Sequence, residues 1–229
     1  MASPAGRNPD SSRPIVVCPL RFELRVLRRC GLGRDCDLEC AGPGAEAMTN
    51  WARSRGPTDR PVILAGLAGA LRPDRMAGEA YVITEVRRDA DELDRSLWPT
   101  YPESPGERSG SAGCIVTSAS PIACTRQEKE SLARRSGADV VDLESVAFAT
   151  VASSLGWRWG IVRGISDGPA TDLPEGIEGW IEARGHLRPR AILAALCRRP
   201  GVVFSLRRLR RDGLAAMRAV ASHLSAWLE

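Results

Sequence analysis

Val140-Val141-Asp142-Leu143-Glu144-Ser145 and Ile161-Val162-Arg163-Gly164-Ile165-Ser166-Asp167 are the stretches on which the fold of this chain turns. Each is an apolar, strand-like run that closes on a carboxylate, and about 20 residues separate the two ends. Apolar runs belong in a core, whereas an unpaired ionised carboxylate does not. Both demands are met if Glu144 and Asp167 stand at the rim of a sheet, where a pocket for a polar ligand can form.

Outward from these runs, strands alternate with helical patterns. Pro14–Leu20 reads as a first buried strand and Phe22–Arg29 as the helix after it. A short strand at Asp37–Ala41, the turn Gly42-Pro43-Gly44 and a helix at about Ala45–Ser54 follow. Pro61–Ala65 is another strand, running into a second glycine turn at Gly66-Leu67-Ala68-Gly69. Ala80–Val86 and Cys114–Thr117 are further strands, separated by a polar, proline-rich excursion from Asp89 to Gly110. Arg126–Ser136, Ser145–Leu155 and the C-terminal segment carry helical periodicity. The alternation predicts an α/β fold: a three-layer sandwich with a central mixed β-sheet flanked by helices. Residues 1–12 read as a disordered start, 13–183 as the core, and 184–229 as a basic amphipathic segment completing the same domain.

Of 229 residues, 43% are hydrophobic and 26% charged, enough for a core and ordinary for a soluble protein. Lys129 is the only lysine among 32 lysines and arginines, a skew that codon composition explains at least as well as any functional demand. The seven cysteines are odd in number and form no CxxC pair, which suits a reducing compartment without disulfides. No metal is expected, since neither the cysteine spacing nor His186 and His223 offers a tetrahedral set. From Arg184 to Arg218 there are ten arginines and one acid, Asp212, whereas the whole chain is only +4. Leu214, Met217, Val220, Leu224 and Trp227 recur at helical spacing. That pattern suits a terminal helix packed on the sheet, or a surface meeting an anionic membrane. It lacks the aromatic residues and the module that nucleic acid would require.

Glu144, at the start of a helix, gains from unpaired backbone N–H groups and can accept from two neighbouring hydroxyls; an ordinary first-turn acid is the alternative. Asp167, in Ser166-Asp167-Gly168-Pro169, is either a turn residue or a partly desolvated general acid. Glu23 is either the solvent face of a helix or the third acid of a shared pocket. The two glycine turns can offer N–H groups to an anion or a ribose, although tight packing explains them equally well.

In order along the chain, Glu23, Ala41-Gly42-Pro43-Gly44, Gly66-Leu67-Ala68-Gly69-Ala70-Leu71, Gly78-Glu79, Val141-Asp142-Leu143-Glu144 and Val162-Arg163-Gly164-Ile165-Ser166-Asp167 resemble the nucleoside phosphorylase superfamily. The resembling branch includes the methylthioadenosine/S-adenosylhomocysteine nucleosidases. The resemblance implies the nucleoside phosphorylase-like sandwich and cleavage of an N-glycosidic bond. Glu144 would then hold the ribose hydroxyls, with Leu143 against the sugar. Asp167 would act on purine N7, oriented by Ser166, and Glu23 would face the nucleophile. Gly66 and Leu67 would lie beside the substrate, and Thr117, Pro121 and Ile122 would line the base pocket. Arg21, Arg34, Arg163 and Gly44 are candidate anion-binding groups should inorganic phosphate be a co-substrate. No other cofactor is implied.

Three departures separate the chain from the housekeeping nucleosidases: Leu67 at a serine position, Pro121 at an aromatic one, and Ser118-Ala119 without the usual acid. His186-Leu187, Leu196–Pro200 and Leu206–Leu209 resemble the tail of the phosphorylases associated with hopanoid biosynthesis. The expected substrate is then an adenine nucleoside with a lipid-like tail, adenosylhopane, cleaved by phosphorolysis to ribosylhopane; the alternatives are a soluble, hydrolytic methylthioadenosine/S-adenosylhomocysteine-type nucleosidase and a non-catalytic nucleoside-binding protein of the same fold. The protein is expected to be a cytoplasmic homo-oligomer in peripheral contact with the inner face of the membrane.

Overall fold

Strand β1 (Ile15–Cys18) is completely buried and sends alternate side chains to opposite layers: Ile15 and Val17 to one, Val16 and Cys18 to the other. A strand with both faces covered must read as a continuous apolar run, and this one does. The computed structural model describes residues 13–88, 96–101, 113–180, 182, 185–186, 188–190 and 201–228.

After β1 come α1 (Arg21–Arg29), β2 (Asp37–Cys40), α2 (Gly44–Arg55), β3 (Val62–Ala70) and β4 (Ala80–Arg87). β5 (Ser96–Leu97), β6 (Cys114–Ser118), α3 (Arg126–Ser136), β7 (Val140–Asp142), α4 (Ser145–Ser154), β8 (Trp159–Asp167) and α5 (Val202–Leu228) complete the order. Helices α2 and α4 cover one face with Met48, Ala52, Phe148 and Ala149. Helices α1 and α5 cover the other with Leu24, Leu27, Met217, Val220 and Leu224. This is the predicted mixed sheet flanked by helices.

The sheet is parallel across β2, β1, β3 and β8. β8 is antiparallel to β4, β4 is parallel to β6, β6 is parallel to β7, and β7 returns antiparallel to β3. These pairings close a ring, and they bring the ends of β3, β7 and β8 together.

Two local expectations change. The first run ends at Asp142, because its Oδ1 accepts the N–H groups of Glu144 (3.2 Å) and Ser145 (3.0 Å) and turns the chain into α4. Gly66–Gly69 is not a turn but the second half of β3, hydrogen-bonded along β8. A side chain at Gly66 would put Cβ 2.6 Å from Arg163 Nη1 and 2.9 Å from Glu23 Oε1, so close approach is the reason for that glycine. The stripe Leu214, Met217, Val220, Leu224 and Trp227 packs on the sheet, as the first of its two readings requires. Among the described residues no helix is long and apolar enough to cross a membrane. Residues 1–12, Cys197 and most of the 89–110 excursion lie outside the described residues.

Candidate active site

Glu23, Glu144 and Asp167, far apart in sequence, line one cavity of about 200 Å³. Its walls are otherwise largely apolar: Leu20, Leu67, Val141, Leu143 and Ile122, with Leu209 of α5 across the top. All three acids are buried.

Glu23 occupies the third position of α1, and Oε2 accepts the N–H of Leu20 (2.8 Å), half of a capping box. Oε1 accepts the N–H of Leu67 (2.8 Å) from β3. Burial pushes its carboxyl up to about 8, against the lowering effect of the two N–H groups and Arg163. Glu144 opens α4, and Oε1 accepts the N–H of Gly44 (2.7 Å) at the start of α2. Burial also raises it, to about 7, with Arg163 pulling down and Asp142 pushing up.

Arg163 holds these acids together from behind. It is fully buried on β8, with Nη2 2.5 Å from Asp142 Oδ2 and 3.5 Å from Glu144 Oε2. Its Nη1, the atom against Gly66, has no hydrogen-bond partner among the described residues. Such an atom beside a ligand cavity is suited to a substrate oxygen or a water. Asp142 also accepts from Ser118 Oγ (2.7 Å) and Ser145 Oγ (2.5 Å), tying β6, β7 and α4 into one unit.

At the opposite end, β8 carries an irregularity. Ala68 pairs with Ile165 but Gly69 pairs with Asp167, leaving Ser166 as an extra residue. A bulge breaks the alternation of side chains, and here Ser166 and Asp167 both line the cavity. Ser166 Oγ donates to Asp167 Oδ1 (2.5 Å). Asp167 Oδ2 accepts from the buried ammonium of Lys129 (2.5 Å).

Of the residues expected at the site, Glu23, Leu67, Ile122, Leu143, Glu144, Ser166 and Asp167 line this cavity. Gly66 stands directly behind it, against Glu23 and Arg163. Thr117 does not line it: it is fully buried and gives its hydroxyl to Arg87 O (3.0 Å). Pro121 is exposed and belongs to a neighbouring groove with Ser118, Ser131 and Arg135. The four anion-binding candidates do not form one set. Arg21 and Arg34 are exposed and line no part of the cavity, and Gly44 N–H is spent on Glu144, so that among the four only Nη1 of the ion-paired Arg163 is still able to donate. Reading the residues alone missed Lys129, Asp142 and Leu209. The sole lysine of an arginine-rich chain was the visible clue to the first.

Comparison with known proteins agrees with this fold. The family model described as "Phosphorylase superfamily" matches residues 106–197. The fold is that of the nucleosidases. The futalosine hydrolase of Helicobacter pylori superposes with a TM-score of 0.66 at 12% identity, covering 95% of this chain and 97% of that one. The 5′-methylthioadenosine/S-adenosylhomocysteine nucleosidase of the same organism gives 0.65 at 13% identity, again covering 95% and 97%. The corresponding nucleosidase of Colwellia psychrerythraea, in complex with adenine, gives 0.57 at 15% identity over 81% and 95%. No curated protein matches the sequence significantly.

Proposed function

We propose that this protein hydrolyses the N-glycosidic bond of an adenine nucleoside. The observation that carries the reading is the placement of Glu23 beside Arg163 Nη1 at one end of a cavity that holds Asp167 at the other, with Glu144 lining the same cavity. Breaking the bond leaves positive charge on the sugar and sends the bonding pair to the base. Three carboxylates surround the sugar end and stabilise the first charge. Asp167 delivers a proton to the purine nitrogen and neutralises the second. Glu23 in its ionised form takes a proton from the attacking water as the new C–O bond forms, and Glu144 accepts from the ribose hydroxyls. The likeness to nucleosidases and the scattering of the anion-binding candidates support water over phosphate as nucleophile.

The test is adenine release from adenosine, methylthioadenosine and S-adenosylhomocysteine, with and without phosphate. Equal release in both conditions, with free sugar as co-product, is expected. A strict phosphate requirement with a sugar 1-phosphate product would overturn hydrolysis.

One observation favours a second reading, phosphorolysis of a lipid-tailed nucleoside such as adenosylhopane to ribosylhopane at the inner membrane face. Leu209 lines the cavity, while Phe204, on the same helix, is 74% exposed among Arg207, Arg208, Arg210 and Arg211. A tail leaving the cavity along α5 would meet an apolar, basic surface suited to anionic lipid. Because Met217, Val220 and Leu224 are core, substitution tests this better than truncation. Phe204→Asp with Arg207→Glu and Arg211→Glu should abolish co-sedimentation with phosphatidylglycerol vesicles; unchanged sedimentation removes the reading.

A further inference from the structure

The sole lysine in a chain of 229 residues is not on the surface. Lys129 stands in the first half of α3 with its side chain 1% exposed. Its Nζ donates to Asp167 Oδ2 (2.5 Å), Gly168 O (3.1 Å) and Thr171 O (2.8 Å). An ammonium has three protons to donate, and three acceptors meet them. The segment presenting those acceptors is itself held to the start of α3, by Leu173 N–H to Cys124 O (2.8 Å) and Arg126 N–H to Asp172 Oδ1 (2.7 Å). Lys129 and Asp167 both line the cavity.

The choice of cation is informative. Of the 32 lysines and arginines only this one is lysine, so the skew that fills the surface with guanidinium groups has spared one position. A guanidinium carries five donors in a plane, does not match three acceptors around one point, and does not surrender a proton in proteins. An ammonium fits the three acceptors and can release a proton when a base next to it demands one.

We propose that Lys129 is the proton source of the leaving group, acting through Asp167; this rests on the glycosidic reading above. As the C–N bond breaks and its electron pair moves to the purine, Lys129 Nζ passes a proton to Asp167 Oδ2, and the carboxyl group so formed gives a proton to the purine nitrogen. Asp167 returns to the carboxylate and Lys129 is left as a neutral amine. Release of the base opens the cavity, and water reprotonates the amine. Lys129 touches Asp167 and not the reacting atoms, so it is a positioning and relay residue. Ser166, donating to Oδ1, fixes which oxygen faces Lys129.

A leaving group that departs without a proton separates this role from a structural one. The experiment compares adenosine or methylthioadenosine, whichever the wild type cleaves, with 4-nitrophenyl β-D-ribofuranoside, whose phenolate needs no acid. Lys129→Met is expected to lose ~10²-fold or more in kcat on the purine nucleoside while keeping nitrophenyl riboside cleavage within about threefold. Equal losses on both substrates would show a structural role only and overturn the proposal. If Lys129→Met does not fold, Lys129→Arg retains the charge beside Asp167 without a releasable proton, and it must show the same selective loss. Wild-type rates in the arginine variant overturn the proposal. Adenine affinity by calorimetry is the second measurement: a roughly tenfold or greater weakening in Lys129→Met is expected, because the relay holds the base nitrogen, and equal affinity counts against it. A wild type that cleaves none of these compounds and binds no adenine would instead defeat the glycosidic reading itself.

Discussion

The two ends of the cavity are built on opposite charge balances. At the proposed sugar end three acids, Glu23, Asp142 and Glu144, share one cation, Arg163. At the proposed base end one carboxylate, Asp167, meets one cation, Lys129. On the proposed reaction the surplus of acid sits where a cationic sugar would form, and the balanced pair sits where a proton would have to be passed. The cations differ to match. Arg163 is a rigid, permanently charged brace behind its acids, whereas Lys129 is a point donor aimed at one oxygen.

The comparison can be broken at either end. Asp167→Asn has the largest expected effect, a loss of ~10²–10⁴-fold in kcat with a modest change in KM, read from adenine release. An unchanged rate would remove the base end from the chemistry.

The sugar end should declare itself through pH. The folded state raises Glu23 from 4.5 to about 8 and Glu144 from 4.5 to about 7. It therefore holds protons that the unfolded chain releases. Stability should be greatest near or below pH 4.5 as far as these two groups contribute, and decline as pH rises through about 7 and 8. The slope is on the order of 1 kcal/mol per pH unit for each group while it remains protonated in the fold. Urea midpoints from pH 5 to 8 measure it, and Glu23→Gln should flatten the curve. Over the same interval kcat/KM should rise, since Glu23 must ionise to accept a proton from water.

Glu144→Gln should raise KM by roughly ten- to a hundredfold through weaker hydrogen bonds to the ribose hydroxyls; a KM within twofold would place the sugar elsewhere. The smallest effect is expected at Gly66→Ala. Its Cβ would force Arg163 and Glu23 apart at a cost of about 1–3 kcal/mol, visible as a lower Tm. Wild-type stability would show that this packing is slack.

Much of the frame was legible because burial on both faces leaves an unmistakable pattern. Val140–Val141 and Ile161–Val162 are apolar without alternation, and the carboxylates that end such strands had nowhere to go but a rim. What failed was local. Gly66–Gly69 looked like a turn because glycine is the common turn residue, yet it is a strand thinned for the approach of Arg163 and Glu23. Thr117 and Pro121 were expected at the pocket from resemblance, and the ends of β6 and α3 direct them elsewhere.

The sequence by itself determined the α/β sandwich, its strand runs and the three acids Glu23, Glu144 and Asp167, because hydrophobic periodicity and charge are local properties. Only the tertiary structure decided which cation each acid meets. Arg163 and Asp142 are 2.5 Å apart because β7 and β8 both border the end of β3, and Lys129 reaches Asp167 because α3 is tied to the segment after β8. The bulge at Ser166, which turns two successive side chains into one cavity, is a feature of strand register. Register depends on partners far along the chain, so no window of sequence contains it.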